Sequence, residues 1–385
     1  MYKVTKSSVA LTLSALILLT LFALGACGTG RDAQTQATED ASLVTESSTR
    51  AITDSVGRSV EIPMQVDSII AVGVGAPRIA SYLGVVDMLI GAEESDQSEM
   101  VVLRDYNPVH LETFRSLPTV GQGGGSGDNN AYPEEIIVLA PDVILAGFDY
   151  EAADELQSQT GIPVVSVRHQ TGLAHESFID AMRVFAEVVG AQERHEYLVN
   201  YLEAALSDLN TRTKDVPDSD KLSSYAGAVT WNGRRGFGGT YADFGPLVAV
   251  NALNVADKSG MDGFFEADFE KVLVWDPDVI FLDPGNMDLV NSEYASNPNY
   301  FNSLRAVQEE RIYTMPAFNF AGTNITYALI NAYYAGIVLF PEQFTDLSIE
   351  DKAGEILTTF LGENTYEIMR EGGLFYGTIT IGEAE

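Results

Sequence analysis

The chain has 385 residues and carries 55 acidic against 22 basic side chains, a formal charge of −33. That length suits two ordinary domains, and that charge opposes binding to nucleic acid and to anionic lipid headgroups. It says little about a small ligand, for which only the local charge of a cleft matters.

The first element is a targeting segment. Lys3 and Lys6 precede an apolar run from Val9 to Ala26, the charge-then-apolar order of a secretory signal, so residues 1–26 are predicted to be a signal peptide. An uncleaved membrane anchor is the alternative, because the run is just long enough to span. The run ends at Leu24-Gly25-Ala26-Cys27, which resembles the bacterial lipobox, in which the cysteine is acylated and becomes the first mature residue. Cys27 is the only cysteine and has no disulfide partner, which lipidation explains. Two or more acyl chains, palmitate among them, give stable anchoring where one is marginal. Removing residues 1–26 takes two lysines and no acid, so the mature charge is about −35. Residues 27–50, rich in Gln, Thr, Ser, Glu, Asp and Ala, bury too little surface to fold and read as a tether.

A first α/β lobe is expected over 51–190. It opens with an alternating pair of short strands, Ile52 to Pro63, around a turn. An apolar strand, Ser68 to Val72, leads through Gly73-Val74-Gly75 into a helix, and Ile162 to Val167 is a later strand. Between them lies Glu134-Glu135-Ile136-Ile137-Val138-Leu139-Ala140-Pro141-Asp142-Val143-Ile144. Pro133 and two acids suit a helix start, Pro141 a helix end, and Val143-Ile144-Leu145 a strand covered on both faces.

From 191 to 215 no Pro or Gly interrupts a helical pattern with Leu198, Leu202, Leu206 and Leu209 on one side. At 1.5 Å per residue this connecting helix reaches roughly 35 Å, enough to join two lobes. The second lobe, 216–385, begins with a strand near Tyr225. It then repeats the first motif without a gap as Glu270-Lys271-Val272-Leu273-Val274-Trp275-Asp276-Pro277-Asp278-Val279-Ile280. Helices are expected from Ile325 to Phe340 and from Ile349 to Leu361. The repeat predicts two similar lobes, hence an α/β fold of two Rossmann-like lobes linked by one long α-helix, with a ligand cleft between them.

Thr53-Asp54-Ser55-Val56-Gly57-Arg58, Leu83 to Asp87, Leu117 to Gly121, the two Pro-Asp steps and Gly161-Ile162-Pro163 occur in an order that resembles the substrate-binding lipoproteins of ABC importers for iron–siderophore complexes, haem and cobalamin. The resemblance covers nearly all of the mature chain. It implies no enzymatic activity and no cofactor of the protein's own. It implies a monomer, lipid-anchored on the extracytoplasmic face of the cell membrane, that hands its ligand to a permease and its ATPase. It also implies that Glu134 and Glu270, each seven residues before the Pro-Asp step, dock on the permease; the plainer reading is ordinary first-turn acids.

Ligands in such a cleft meet loops at the carboxyl ends of the strands. Candidate contacts there are Gly75, Tyr132, Phe148, Tyr150 and His169 in the first lobe, and Trp231, Arg234, Arg235, Tyr241, Asn319 and Asn324 in the second. Arg234-Arg235 is the only adjacent arginine pair; its planar forks suit carboxylate, hydroxamate or catecholate oxygens, or simply salt bridges to the acidic surface. Arg78 stands where a dinucleotide fingerprint needs a third glycine, and Gly121 to Gly127 lacks the Lys-Ser/Thr of a phosphate loop, which argues against nucleotides. The four histidines have no ligand spacing, so a metal is expected to arrive already chelated. The expected function is capture of an iron(III)–siderophore complex for ABC import, with haem or cobalamin as the alternative ligand, and a sensor or enzyme as the alternative class.

Overall fold

Both copies of the repeated motif fold alike, and the reason is visible in their aspartates. The computed structural model describes residues 48–124 and 130–382; Cys27, the signal segment, the tether as far as residue 47 and Gly125-Ser126-Gly127 lie outside them.

The first lobe runs β1 (Thr49–Thr53), β2 (Ser59–Pro63), β3 (Ile69–Val72), α1 (Ala76–Tyr82), β4 (Ala92–Glu93), α2 (Glu94–Gln97), α3 (Asn107–Ser116), β5 (Thr119–Gly121), α4 (Pro133–Leu139), β6 (Val143–Ala146), α5 (Tyr150–Thr160), β7 (Val164–Ser166) and α6 (Glu176–Val189). Strands β3, β6 and β7 form a parallel sheet in the order β3-β6-β7. Ile70, Val72, Ile144 and Val164 enter one core, while Ile69, Ala71, Val143, Leu145 and Val165 enter another. Alternate residues point to opposite faces, so a strand covered on both sides must be apolar throughout. In the antiparallel β1–β2 pair Ile52, Val60 and Ile62 are buried while Thr53, Ser59 and Glu61 are exposed. Arg50 in β1 donates to the carbonyls of Glu187 and Val188, so ordered structure starts inside the segment read as tether.

Helix α7 (Gln192–Thr213) follows Gly190, whose left-handed conformation ends α6. Its 22 residues span about 33 Å. The second lobe runs β8 (Ser223–Gly227), β9 (Gly239–Tyr241), α8 (Gly245–Ala249), β10 (Leu253–Asn254), β11 (Phe264–Glu266), α9 (Phe269–Trp275), β12 (Val279–Leu282), α10 (Met287–Ser296), α11 (Pro298–Phe301), α12 (Arg305–Gln308) and β13 (Ile312–Thr314). Its parallel sheet is ordered β10-β8-β12-β13.

In the repeats, α4 ends at left-handed Ala140 and α9 at left-handed Asp276, each just before its proline. The aspartate after that proline then fastens the neighbouring strand. Asp142 accepts from the Ser68 amide at 2.9 Å and its hydroxyl at 3.0 Å, ahead of β3. Asp278 accepts from the Ser223 amide at 2.9 Å and hydroxyl at 2.7 Å, at the start of β8. Each serine hydroxyl in turn accepts the aspartate's own amide. The Pro-Asp step is thus a register clamp between adjacent parallel strands.

The C-terminal helices α13 (Ile325–Leu339), α14 (Ile349–Leu361) and α15 (Tyr366–Glu371) do not stay with the second lobe. Helix α13 is buried on nearly all sides, and α14 packs on α1, with Tyr82 and Phe360 ring centroids 5.1 Å apart. One continuous core therefore joins a face of each sheet to α6, α7, α13 and α14. Shared burial of this kind resists wide separation of the lobes.

Candidate functional site

A cleft of about 520 Å³ opens at the carboxyl ends of both sheets. The first lobe contributes Val74, Leu103, Arg104 and His169, and the second Trp231 to Arg234, Asp283, Asn286 and the turn Asn319 to Gly322.

Backbone crossings bring the first-lobe groups together. Gly147 lies against the carbonyl of Val74, where a Cβ would stand 2.1 Å from the oxygen. Gly75 has φ +86°, and a Cβ there would meet the His169 ring at 2.3 Å. The His169 ring stands edge-on to Phe178 at 5.0 Å, and Nδ1 donates to the Val167 carbonyl at 3.2 Å. A carbonyl only accepts, so the proton is on Nδ1 and Nε2 keeps its lone pair. Burial, reinforced by the charge of Arg78, pushes this histidine down to about 4, and Nε2 is buried without a partner. The Arg104 side chain is also buried; Nη1 binds the Ser95 carbonyl and Asp96, 3.0 Å away, while Nε has no partner.

The second lobe supplies aromatic walls and a second cation. Trp231 stacks on Phe264 at 6.3 Å and stands edge-on to Tyr241 at 5.5 Å. Arg234 Nε donates to Asn286 at 3.1 Å, and its Nη2 pairs with Asp288. The Arg104 guanidinium lies 5.9 Å from the Phe320 ring centre across the cleft. Asp283, pushed up to about 6 by burial, accepts from Thr230 at 2.6 Å.

Beneath the cleft a buried polar network crosses between the lobes. Arg78 on α1 is fully buried and binds Asp105 at 2.9 Å, the Ala321 carbonyl at 2.7 Å, the Phe320 carbonyl at 3.0 Å and Asn324 Oδ1 at 2.8 Å. Asp105 also accepts from Tyr82 and, at 2.7 Å, from Thr326. The first lobe thereby holds the second lobe's cleft turn in place.

Of the residues expected to meet ligand, His169, Trp231, Arg234 and Asn319 line this cleft. Phe148 is a correction: its ring is buried under Gly73 in the first lobe's core, because the strand's apolar run continues one residue pair beyond β6. Asn324 is buried in the inter-lobe network. Arg235 turns away to Glu266 and lies over Phe264, while Tyr241 supports Trp231 from behind. Gly75 does not line the cleft but lies against the His169 ring. Tyr132 donates to Glu94, and Tyr150 lies exposed beside Arg58. Glu134 and Glu270 are exposed in the first turns of α4 and α9. Leu103 and Arg104 escaped the sequence reading; Arg104 sits in an aperiodic stretch whose one signal is an arginine in a base-poor chain. Among the described residues no three His, Cys, Asp or Glu side chains gather as a metal cluster.

Glu93 supports this site from below and carries a pH signature. Its buried carboxylate accepts from the Gly73 amide at 2.9 Å, and burial pushes it up to about 7. The native state then binds this proton more tightly than the unfolded state, so the stabilisation is present below the ordinary glutamate value and lost as pH rises through about 7. Relative to Glu93→Gln, the wild-type protein should lose about 3 kcal/mol between pH 4.5 and 7. Denaturant midpoints of the two proteins at pH 5 and pH 8 test this; an offset equal at both would refute it.

The family model described as "Periplasmic binding protein" matches residues 79–317. A periplasmic solute binding protein from Veillonella parvula is 19% identical, covering 82% of this chain and 94% of that one, with a TM-score of 0.62. The TroA-like periplasmic binding protein FepB from Veillonella parvula is 18% identical, with 86% and 99% covered and a TM-score of 0.62. The molybdate periplasmic binding protein MolA of Haemophilus influenzae is 21% identical, with 82% and 98% covered and a TM-score of 0.59. A search of curated proteins gave no match. Among the described residues no helix is long and apolar enough to cross a membrane.

Proposed function

Because the chain belongs to the periplasmic binding protein family, the extracytoplasmic solute-binding components of ABC transporters, we propose that its cleft captures an anionic metal chelate, an iron(III)–siderophore complex. Acylation at Cys27 holds it to the outer face of the membrane, and the loaded protein delivers its cargo to the permease. The observation that carries this reading is the pair of arginines, Arg104 and Arg234, brought from opposite lobes to one cleft in a chain of charge −33. Arg104 keeps a buried N–H unspent, and a planar guanidinium matches the paired oxygens of a carboxylate, hydroxamate or catecholate. Trp231 and Phe320 offer flat walls to the apolar parts of a chelator. His169 Nε2 offers a lone pair, either to a ligand donor or to an open position on the chelated metal.

Titration of the mature protein's tryptophan fluorescence tests the reading, because Trp231 lines the cleft and the chain's other tryptophan, Trp275, sits on α9. Ferric catecholate, hydroxamate and citrate-type siderophores, molybdate, haem and cobalamin are the probes. Saturable quenching by a ferric siderophore is expected. Saturation by haem, cobalamin or molybdate alone overturns it.

A further inference from the structure

Beyond Arg234 the cleft continues into a second space. A groove of about 930 Å³ shares Leu103, Arg234 and Gly285 with the cleft and is otherwise lined by residues the cleft does not reach. The chain that follows α15 forms one wall and is tied along β13: Ile379 donates to the Ile312 carbonyl at 3.0 Å, and the Thr314 amide to the Gly377 carbonyl at 2.9 Å. Val102 brings the first lobe against this wall. A Cβ on Gly372 would stand 2.7 Å from Val102 Cγ1, and Tyr327 holds the Val102 carbonyl at 2.6 Å. Backbone hydrogen bonds of this kind fix the groove in place beside the cleft.

The charge changes sign on the way from one space to the other. Arg104 and Arg234 line the cleft, whose one carboxylate, Asp283, is buried and occupied by the Thr230 hydroxyl and the Gly285 amide. Among the described residues lining the groove, Asp288 is the only charged side chain besides Arg234. It sits in the first turn of α10, where the helix favours its ionised form. Arg234 stands at the join, with Nε on Asn286 at 3.1 Å and Nη2 on Asp288. Both partners of that ion pair are exposed, so it contributes little and opens at small cost. When Nη2 turns to a ligand's oxygens, Nε still anchors the guanidinium, and Asp288 is left without its cation.

We propose that this groove is a subsite for an alkylammonium arm of the ligand. The chelate's anionic oxygens take Arg104 and Arg234 in the cleft, and a protonated amine on the same molecule takes the place of Arg234 at Asp288. Between the two, Leu103, Met287, Phe375 and Ile379 offer apolar surface to a methylene chain, which prefers such contact while its charged head stays in water. The inference rests on the iron-chelate reading and deepens it: the cargo carries charges of both signs, in the order in which the protein presents their opposites. An anionic arm would meet Asp288 with like charge, and a neutral one would leave it unpaired.

The test titrates the mature protein's tryptophan fluorescence with two probes, a linear ferric tris-hydroxamate ending in a primary amine and its N-acetylated form. The two hold iron identically and differ by one charge at the end of the arm. The wild-type protein should bind the free amine about tenfold more tightly, the worth of a hydrogen bond to a charged group. Asp288→Asn should erase that preference by weakening the amine form alone, because asparagine keeps an acceptor oxygen for Arg234 but no charge for the ammonium. Equal weakening of both forms would make Asp288 only a positioning residue for Arg234 and overturn the subsite, as would a preference that survives the substitution. Equal binding of the two forms by the wild-type protein overturns the subsite and leaves the iron-chelate reading standing. If neither form binds, the subsite falls, and the remaining ferric chelates of the fluorescence titration decide the broader reading separately.

Discussion

Arg78→Met should lower the unfolding free energy by about 3–5 kcal/mol, the usual cost of stranding one member of a buried ion pair. The guanidinium is fully buried and is Asp105's ion-pair partner. Methionine fills much of the volume but leaves that carboxylate with only the Tyr82 and Thr326 hydroxyls and nearby amides. It also frees the carbonyls of Phe320 and Ala321, which Arg78 holds across the lobes, and leaves the Asn324 amide oxygen with the Asp105 amide alone. A denaturant midpoint shift at unchanged slope measures the loss. Adding Asp105→Asn should recover part of it, since no charge is then left alone. A loss under about 1 kcal/mol would show that the network is not what holds the lobes. Because the anchored turn lines the cleft, ligand affinity should fall in the same variant.

Arg234→Ala should weaken binding of the chelate by about 10- to 100-fold, the worth of a hydrogen bond to a charged group of about 1.5–3 kcal/mol, with little change in stability. The side chain is half exposed and its ion pair with Asp288 lies at the surface, where such pairs contribute little. Arg104 is the poorer test, since its removal also strands buried Asp96. Arg234→Lys should fall between, keeping the charge but losing the planar fork. The fluorescence titration reads all three proteins, and an Arg234→Ala curve superimposable on wild type would remove this cation from recognition.

Legibility in the sequence followed the range of the forces involved. The helices Ile325–Leu339 and Ile349–Leu361 agree with their expected ends within a residue, because apolar periodicity and capping act over a few positions. The repeat reported two equivalent α-to-β steps, but not that Asp142 and Asp278 clamp serines 74 and 55 residues earlier. Phe148 and Asn324 sat in loops at the correct end of the sheets, yet one turned into the core and the other into the inter-lobe network. Loop position alone does not say which way a side chain faces.

The chain's own pattern determined the two α/β lobes, the connecting helix and the paired acids of α4 and α9, since each depends on neighbours within one element or on a direct repeat. Tertiary structure alone decided the cleft. Val74, Arg104, His169, Trp231 and Phe320 are scattered over some 250 positions of chain and meet only once both sheets are ordered and α13 is buried in the core that joins them. The same packing made Arg78 an inter-lobe anchor. Burial is a property of what packs against a residue, and no local spacing encodes that.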